Sequence, residues 1–290
     1  MLLLTGANGR TGRAILSSLV ARDVRVRAFV RNPAHADDLL ALGAAQIAVG
    51  DMASAIDAAT AVGGCSTVIH IGPPMAANEV DMTMNFVNAA GDLGVQQFVY
   101  YSVMHPLRRA VRHHALKLDA TEKLIESDVP YTVIEPIRYM QHLEPIWTKV
   151  VNDGDFAMPF DVDKKFNVAD LADLAEATAV VSTQPGHLYA TYELAGPEAL
   201  SQRDMAAVCA AVLQRDVVAR EVALDDMAAA ALARGIDPDR VEQMRIMNAH
   251  YSAHGFLGNP NVLTWLLGHP PTTFEAYVQR LAEATRPSPG

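Results

Sequence analysis

Through the first half of the chain, short apolar runs rich in β-branched residues alternate with stretches whose apolar positions recur at helical spacing. Strands are expected at Met1–Leu4, Val24–Val30, Ala45–Val49, Thr67–Ile71, Gln97–Ser102 and Tyr131–Ile134, and helices near Arg13–Ala21, Ala34–Leu42, Asn78–Leu93 and Ala115–Ser127. Runs such as Thr67-Val68-Ile69-His70-Ile71 are near-continuously apolar, as in a strand covered on both faces. This β-α-β rhythm predicts an α/β fold, a doubly wound parallel sheet of Rossmann-like type over residues 1–140, with a smaller C-terminal cap domain. After Pro136 the pattern loosens. Phe166–Val181 and Tyr189–Leu194 read as a helix and a strand, so residues 166–196 are expected to return to the core, leaving 141–165 and 197–285 for the cap. Within the cap, Ser201 and Asp204 have the spacing of a capping box, and Asp237-Pro238 marks another helix start. Gly255, Gly258, Gly268 and Pro270-Pro271 break the chain before a closing helix from Phe274, and the tail Arg286–Gly290 is expected to fray.

The first strand passes into the first helix through Thr5-Gly6-Ala7-Asn8-Gly9-Arg10-Thr11-Gly12. Glycines let the backbone approach a pyrophosphate closely, and the free N–H groups and dipole of the following helix favour its charge. Gly6, Ala7, Asn8, Gly9, Arg10, Thr11 and Gly12 are therefore expected to contact a dinucleotide. At the end of the second strand stands Arg31, where an NAD-selective protein usually offers a carboxylate to the ribose. A guanidinium there suits the 2′-phosphate of NADP, the plainer alternative being an arginine that opens a turn. Asp51 closes the third strand and Gly72-Pro73 the fourth, as neighbours of the cofactor or as turn residues.

Composition narrows the classes. The 290 residues are 50% hydrophobic, and a formal charge of −10 argues against a nucleic-acid partner, which needs a clustered basic surface. The single basic knot, Arg108, Arg109, Arg112, His113 and His114, reads as a solvated loop or local anion contact. Two cysteines, Cys65 and Cys209, form no disulfide framework, and a reducing compartment is expected. With no basic leader ahead of the first strand and no long apolar run, a cytoplasmic protein without membrane partners is expected.

Several motifs together carry a resemblance: the glycine loop, Val30-Arg31-Asn32-Pro33, Val49-Gly50-Asp51, Phe98–Ser102, Tyr131–Pro136, Asn167–Ala172, Tyr192–Pro197 and Leu266–Pro271. Nearly the whole chain resembles the NmrA-like family of atypical short-chain dehydrogenases/reductases. The resemblance implies one of two functions. The first is an NADPH-dependent reductase delivering hydride to a small apolar acceptor such as a quinone or enone. The second is a non-catalytic NADP-binding redox sensor acting through a protein partner. The superfamily's Tyr-x-x-x-Lys pair falls on His113 and Lys117. The resemblance gives Lys117 the nicotinamide ribose. His113, with an ordinary pKa of roughly 6.5, either donates a proton or shapes the pocket. Ser102 falls near the serine that steadies a carbonyl, although Val103-Met104 follows it, and Glu135 stands where an arginine often precedes the proline. In the cap, Tyr139, Met140, Met158, Phe160, Met247 and Tyr251 are expected to wall an apolar substrate pocket, unless they are core. His250 and His254 share a helix face without a third ligand, so no metal site is expected.

If Arg31 selects the cofactor, Arg31→Asp shifts preference from NADPH towards NADH; unchanged selectivity in a binding titration removes the basis for its role.

Overall fold

A computed structural model describes residues 1–285, so the expected fraying at Arg286–Gly290 lies outside the described residues. The chain divides into two compact units: Met1–Pro136 with Leu174–Glu193, and Ile137–Asp173 with the residues from Leu194 onward.

The first unit alternates strand and helix: β1 Leu2–Leu4, α1 Arg10–Val20, β2 Val26–Val30, α2 Ala36–Ala41, β3 Gln46–Val49, α3 Ala55–Val62, β4 Thr67–His70, α4 Glu79–Asp92, β5 Gln97–Tyr101, α5 Arg112–Ile125 and β6 Tyr131–Pro136. The strands form one seven-stranded sheet in the order β3-β2-β1-β4-β5-β6, with Ala190–Leu194 beyond β6. The pairs from β3 to β6 are all parallel, with Leu2 opposite both Val26 and Thr67, and Phe98 opposite Tyr131. Short strands without alternation follow from burial on both faces: Leu2, Leu3 and Leu4 are all buried.

Helix α3 was not among the expected elements. Ser54 caps it by accepting from the Asp57 N–H at 3.2 Å. The core lies between the sheet and α3, α4 and α5, where Phe86 is fully buried and meets Phe29 edge-on at 5.4 Å.

The second unit holds two small sheets. Asp155–Met158 runs parallel to Val218–Glu221, and Phe166–Asn167 runs antiparallel to Ala199–Leu200. Its helices are Trp147–Asp153, Gln202–Leu213, Leu224–Ala233, Pro238–His254, Asn261–Leu267 and Phe274–Ala284. The Ser201–Asp204 capping box forms in both directions, and Asp237 caps Pro238–His254. The helix expected from Phe166 begins instead at Leu171. Asn167 is spent on the strand connection, donating to Gly196 O and accepting from Gly258 N, and Asp170 accepts from Ala172 N at 3.0 Å to start the helix. Among the described residues no helix is long and apolar enough to cross a membrane.

Truncating the ring that fills the centre of the first core, Phe86→Ala, is expected to lower unfolding free energy by about 3–5 kcal/mol, measurable as a reduced urea midpoint.

Candidate cofactor site

The order of strands reverses between β1 and β4. The chain leaves β1 towards β2 and β3 on one side, then crosses over to build β4, β5 and β6 on the other. Such a reversal opens a crevice beyond the carboxyl ends of the strands. Two segments singled out in the sequence, the glycine loop and Gly72-Pro73, follow these two strands directly.

The glycine loop is held from below. Thr5, fully buried, accepts from Ile71 N at 2.8 Å and lies 3.1 Å from His70 Nδ1, while Thr83 Oγ1 lies 3.3 Å from His70 Nε2. Gly6 then adopts φ +60° against the end of β4, where a Cβ would stand 2.8 Å from Ile71 O. Gly12 is more constrained, because a Cβ there would lie 2.2 Å from Gly6 O. The loop thus folds back on the first turn of α1, with Gly9 N donating to Gly6 O at 3.0 Å. Asn8 is fixed by Arg13, which donates to its side-chain oxygen at 2.6 Å. Ala7 is buried, Thr11 half-buried, and Gly9 and Arg10 face solvent. α1 begins at Arg10 with no side-chain cap, so the cradle presents unmet backbone N–H groups at a helix N-terminus.

Arg31 leaves the carboxyl end of β2 exposed and forms no hydrogen bond or ion pair with the described residues. Asp51 is exposed, and its Oδ1 accepts from Ala53 N at 2.9 Å, so part of its carboxylate serves the turn before α3.

Lys117 is buried rather than displayed. Its Nζ donates to Glu79 Oε1 at 2.5 Å and to the Tyr101 carbonyl at 3.1 Å, and the two charged side chains are only 5% and 2% exposed. Tyr100 Oη donates to the same Glu79 oxygen at 2.9 Å. Burial pushes the Glu79 carboxyl up, but the Lys117 charge and hydrogen bond outweigh it and hold the net value below the ordinary range. His70 next to this group is pushed down to about 4, chiefly by burial, and is neutral. Gly72 makes room for the arrangement: a Cβ there would stand 2.6 Å from Glu79 Oε2, an oxygen that is buried without a partner. Glu79, Tyr100 and His70 were not among the residues expected from sequence. An acidic residue in a helix's first turn ordinarily answers the dipole from the surface. The phase of α4 carries a signal, since Glu79 shares an inward stripe with Met82, Thr83, Phe86 and Ala90.

His113 lies in the first turn of α5, half-buried, one turn before Lys117. Burial, followed by the charge of Lys117, pushes its pKa down to about 3, so the ring is neutral at pH 7 instead of titrating near its ordinary value. Ser102 follows the last residue of β5, with its hydroxyl buried and unpartnered.

The expected pocket residues all belong to the second unit, where Met140, Met158, Phe160 and Tyr251 are buried. Arg138 stacks on Phe160 at 4.3 Å and donates to Met158 Sδ, while Tyr251 stacks on Phe256 at 4.8 Å. These four pack the interior of their unit; Tyr139 and Met247 keep partial exposure. The His250 and His254 rings lie 4.5 Å apart, tilted by 49°, and no group of three or more metal-ligating side chains occurs among the described residues.

A two-way wound parallel sheet with a glycine cradle at its reversal point defines a Rossmann-type dinucleotide-binding protein. A family model described as NAD(P)H-binding matches residues 6–179; the chain belongs to that family, in its NmrA-like, atypical short-chain dehydrogenase/reductase branch. It is 28% identical over 289 residues to quinone oxidoreductase 2 of Escherichia coli (strain K12), covering 97% of this chain and 98% of the relative. It is 26% identical over 285 residues to the NAD(P)H azoreductase of Xenophilus azovorans, covering 98% and 99%. The crystal structure of the Escherichia coli NADPH-dependent quinone oxidoreductase complexed with NADPH superposes with a TM-score of 0.85 at 26% identity, covering 97% of this chain and 100% of that one.

Glu79→Met alone strands a buried ammonium and is expected to cost about 3–5 kcal/mol, whereas Glu79→Met with Lys117→Met recovers most of the loss. Equal destabilisation of the single and double variants in urea unfolding contradicts the pairing.

Proposed function

We propose that this chain is an NADPH-dependent reductase that delivers hydride to a small apolar acceptor such as a quinone or an enone. The observation that carries this reading is its likeness, over almost the whole chain, to relatives named for NAD(P)H-dependent reduction of quinones and azo compounds. The chain's own cradle fits the cofactor: Gly6 and Gly12 let the loop pack backbone against backbone on the end of β4 and the first turn of α1, and the uncapped start of α1 favours phosphate charge. Bound NADPH supplies the hydride, and the protein's part is to position it and keep the site dry.

Arg31 is the residue available to a 2′-phosphate, being exposed and uncommitted. Lys117 spends two of its three N–H donors on Glu79 and Tyr101 O, which leaves one for a ribose hydroxyl. Glu79 is accordingly the residue that fixes the direction of Lys117. His113 shapes the pocket: a neutral imidazole at pH 7 has no imidazolium proton to give. That arrangement favours acceptors whose added charge is delocalised over simple ketones, in which a localised alkoxide needs a proton donor in the transition state.

NADPH oxidation is expected with at least one quinone or enone and to be far slower with simple ketones. Tight NADPH binding with no turnover across a broad panel overturns the reductase reading and favours the regulator. Replacing His113 by Gln is expected to leave the shape of the kcat/KM profile unchanged over roughly pH 5 to 8; loss of a titration in that range restores His113 as the acid.

A further inference from the structure

A second feature of the nucleotide-binding unit has no part in the scheme above. A cavity of ≈ 470 Å³ opens among the loop residues His105, Pro106, Leu107 and Arg108, Leu118 of α5, Glu135 near the end of β6, and Glu193 on the strand beyond it. The loop is fixed in place: His114 Nδ1 donates to the His105 carbonyl at 2.9 Å, and Arg108 N donates to the same carbonyl at 3.1 Å.

Glu135, the residue that departs from the family's arginine, is only 6% exposed yet lines this cavity, and it has no hydrogen bond or ion pair with the described residues. Its carboxylate oxygens reach the open space of the cavity rather than dry interior, so a ligand held there can donate to them. The other charged groups on the walls do not donate to them. Glu193 adds a second negative charge, and its contact with His105 Nε2, at 3.7 Å, involves a ring that burial holds below its ordinary pKa. Arg108 is the one permanent cation on the walls. Pro106, Leu107 and Leu118 supply apolar surface, Leu107 being 78% exposed.

We propose that this cavity binds a small organic cation, an alkyl- or arylammonium, whose head group donates to Glu135 and Glu193 and whose apolar body lies on Pro106, Leu107 and Leu118. Burial, with the charge of Glu193 added, pushes the Glu135 carboxyl up to about 7. An ammonium with a pKa on the order of 10 is charged throughout the neutral range, so its affinity falls as pH drops below about 7 and Glu135 takes up a proton.

The test is a titration of the full chain with butylammonium, followed by backbone amide shifts, with butan-1-ol as the uncharged control. Saturable shifts at His105, Leu107, Arg108 and Glu193 are expected at pH 8. Affinity is expected to be at least tenfold weaker in Glu135→Gln, whose shape is nearly unchanged, and weaker for the wild type at pH 6. A thermal unfolding curve like that of the wild type certifies the variant as folded. Absence of saturable shifts, equal binding by Glu135→Gln, or equal binding of butan-1-ol overturns the proposal. Because NADPH oxidation is measured separately, failure here leaves the reductase reading standing.

Discussion

No side-chain atom fits between Gly12 and the carbonyl of Gly6, and the remainder of the nucleotide-binding unit is organised around that close approach. It sets how α1 leaves β1, and with it the point where unmet helix N–H groups meet the end of the sheet. The loop is braced on β4 through Thr5, His70 and Thr83, so the two strands that flank the reversal are tied together beneath the cradle. A dinucleotide pyrophosphate needs a surface of backbone rather than side chain, and this constraint provides one.

Beneath the same strand ends lies an interaction of the opposite kind. Glu79 and Lys117 place a full pair of charges in the interior, with Tyr100 hydrogen-bonded to the carboxylate. Such a pair contributes little net stability compared with apolar packing, but it is costly to break and directional. Its direction is what it contributes, because Glu79 and the Tyr101 carbonyl together fix the ammonium at one position beneath the strand ends. Gly72 belongs to this pair as much as to the crevice, since any side chain there would meet the Glu79 carboxylate.

Departures from the superfamily pattern divide by environment. His113, in the place of tyrosine, is held neutral chiefly by burial, with the charge of the Lys117 ammonium adding to it. Glu135, in the place of arginine, is likewise desolvated but faces another carboxylate, and its proton is retained into the neutral range. Two substitutions in one unit thus give one group that stays uncharged at pH 7 and one poised between its two states.

The sequence by itself determined the alternation of strand and helix, the parallel sheet and the position of the glycine loop, because these follow from apolar period and from backbone chemistry local to a few residues. It also marked Arg31 and Lys117 through their places in motifs. Helix α3 escaped although Ser54 and Asp57 carry a capping signal ahead of it, and the helix from Leu171 was drawn too early because Asn167 is engaged by Gly196 and Gly258, far away in the chain. Only the tertiary structure decided that Glu79 turns inward to Lys117, that His113 is neutral, and that Met140, Met158, Phe160 and Tyr251 are interior packing. Each of these depends on desolvation and on partners brought together from separate elements, and neither quantity is written in the spacing of residues along one segment.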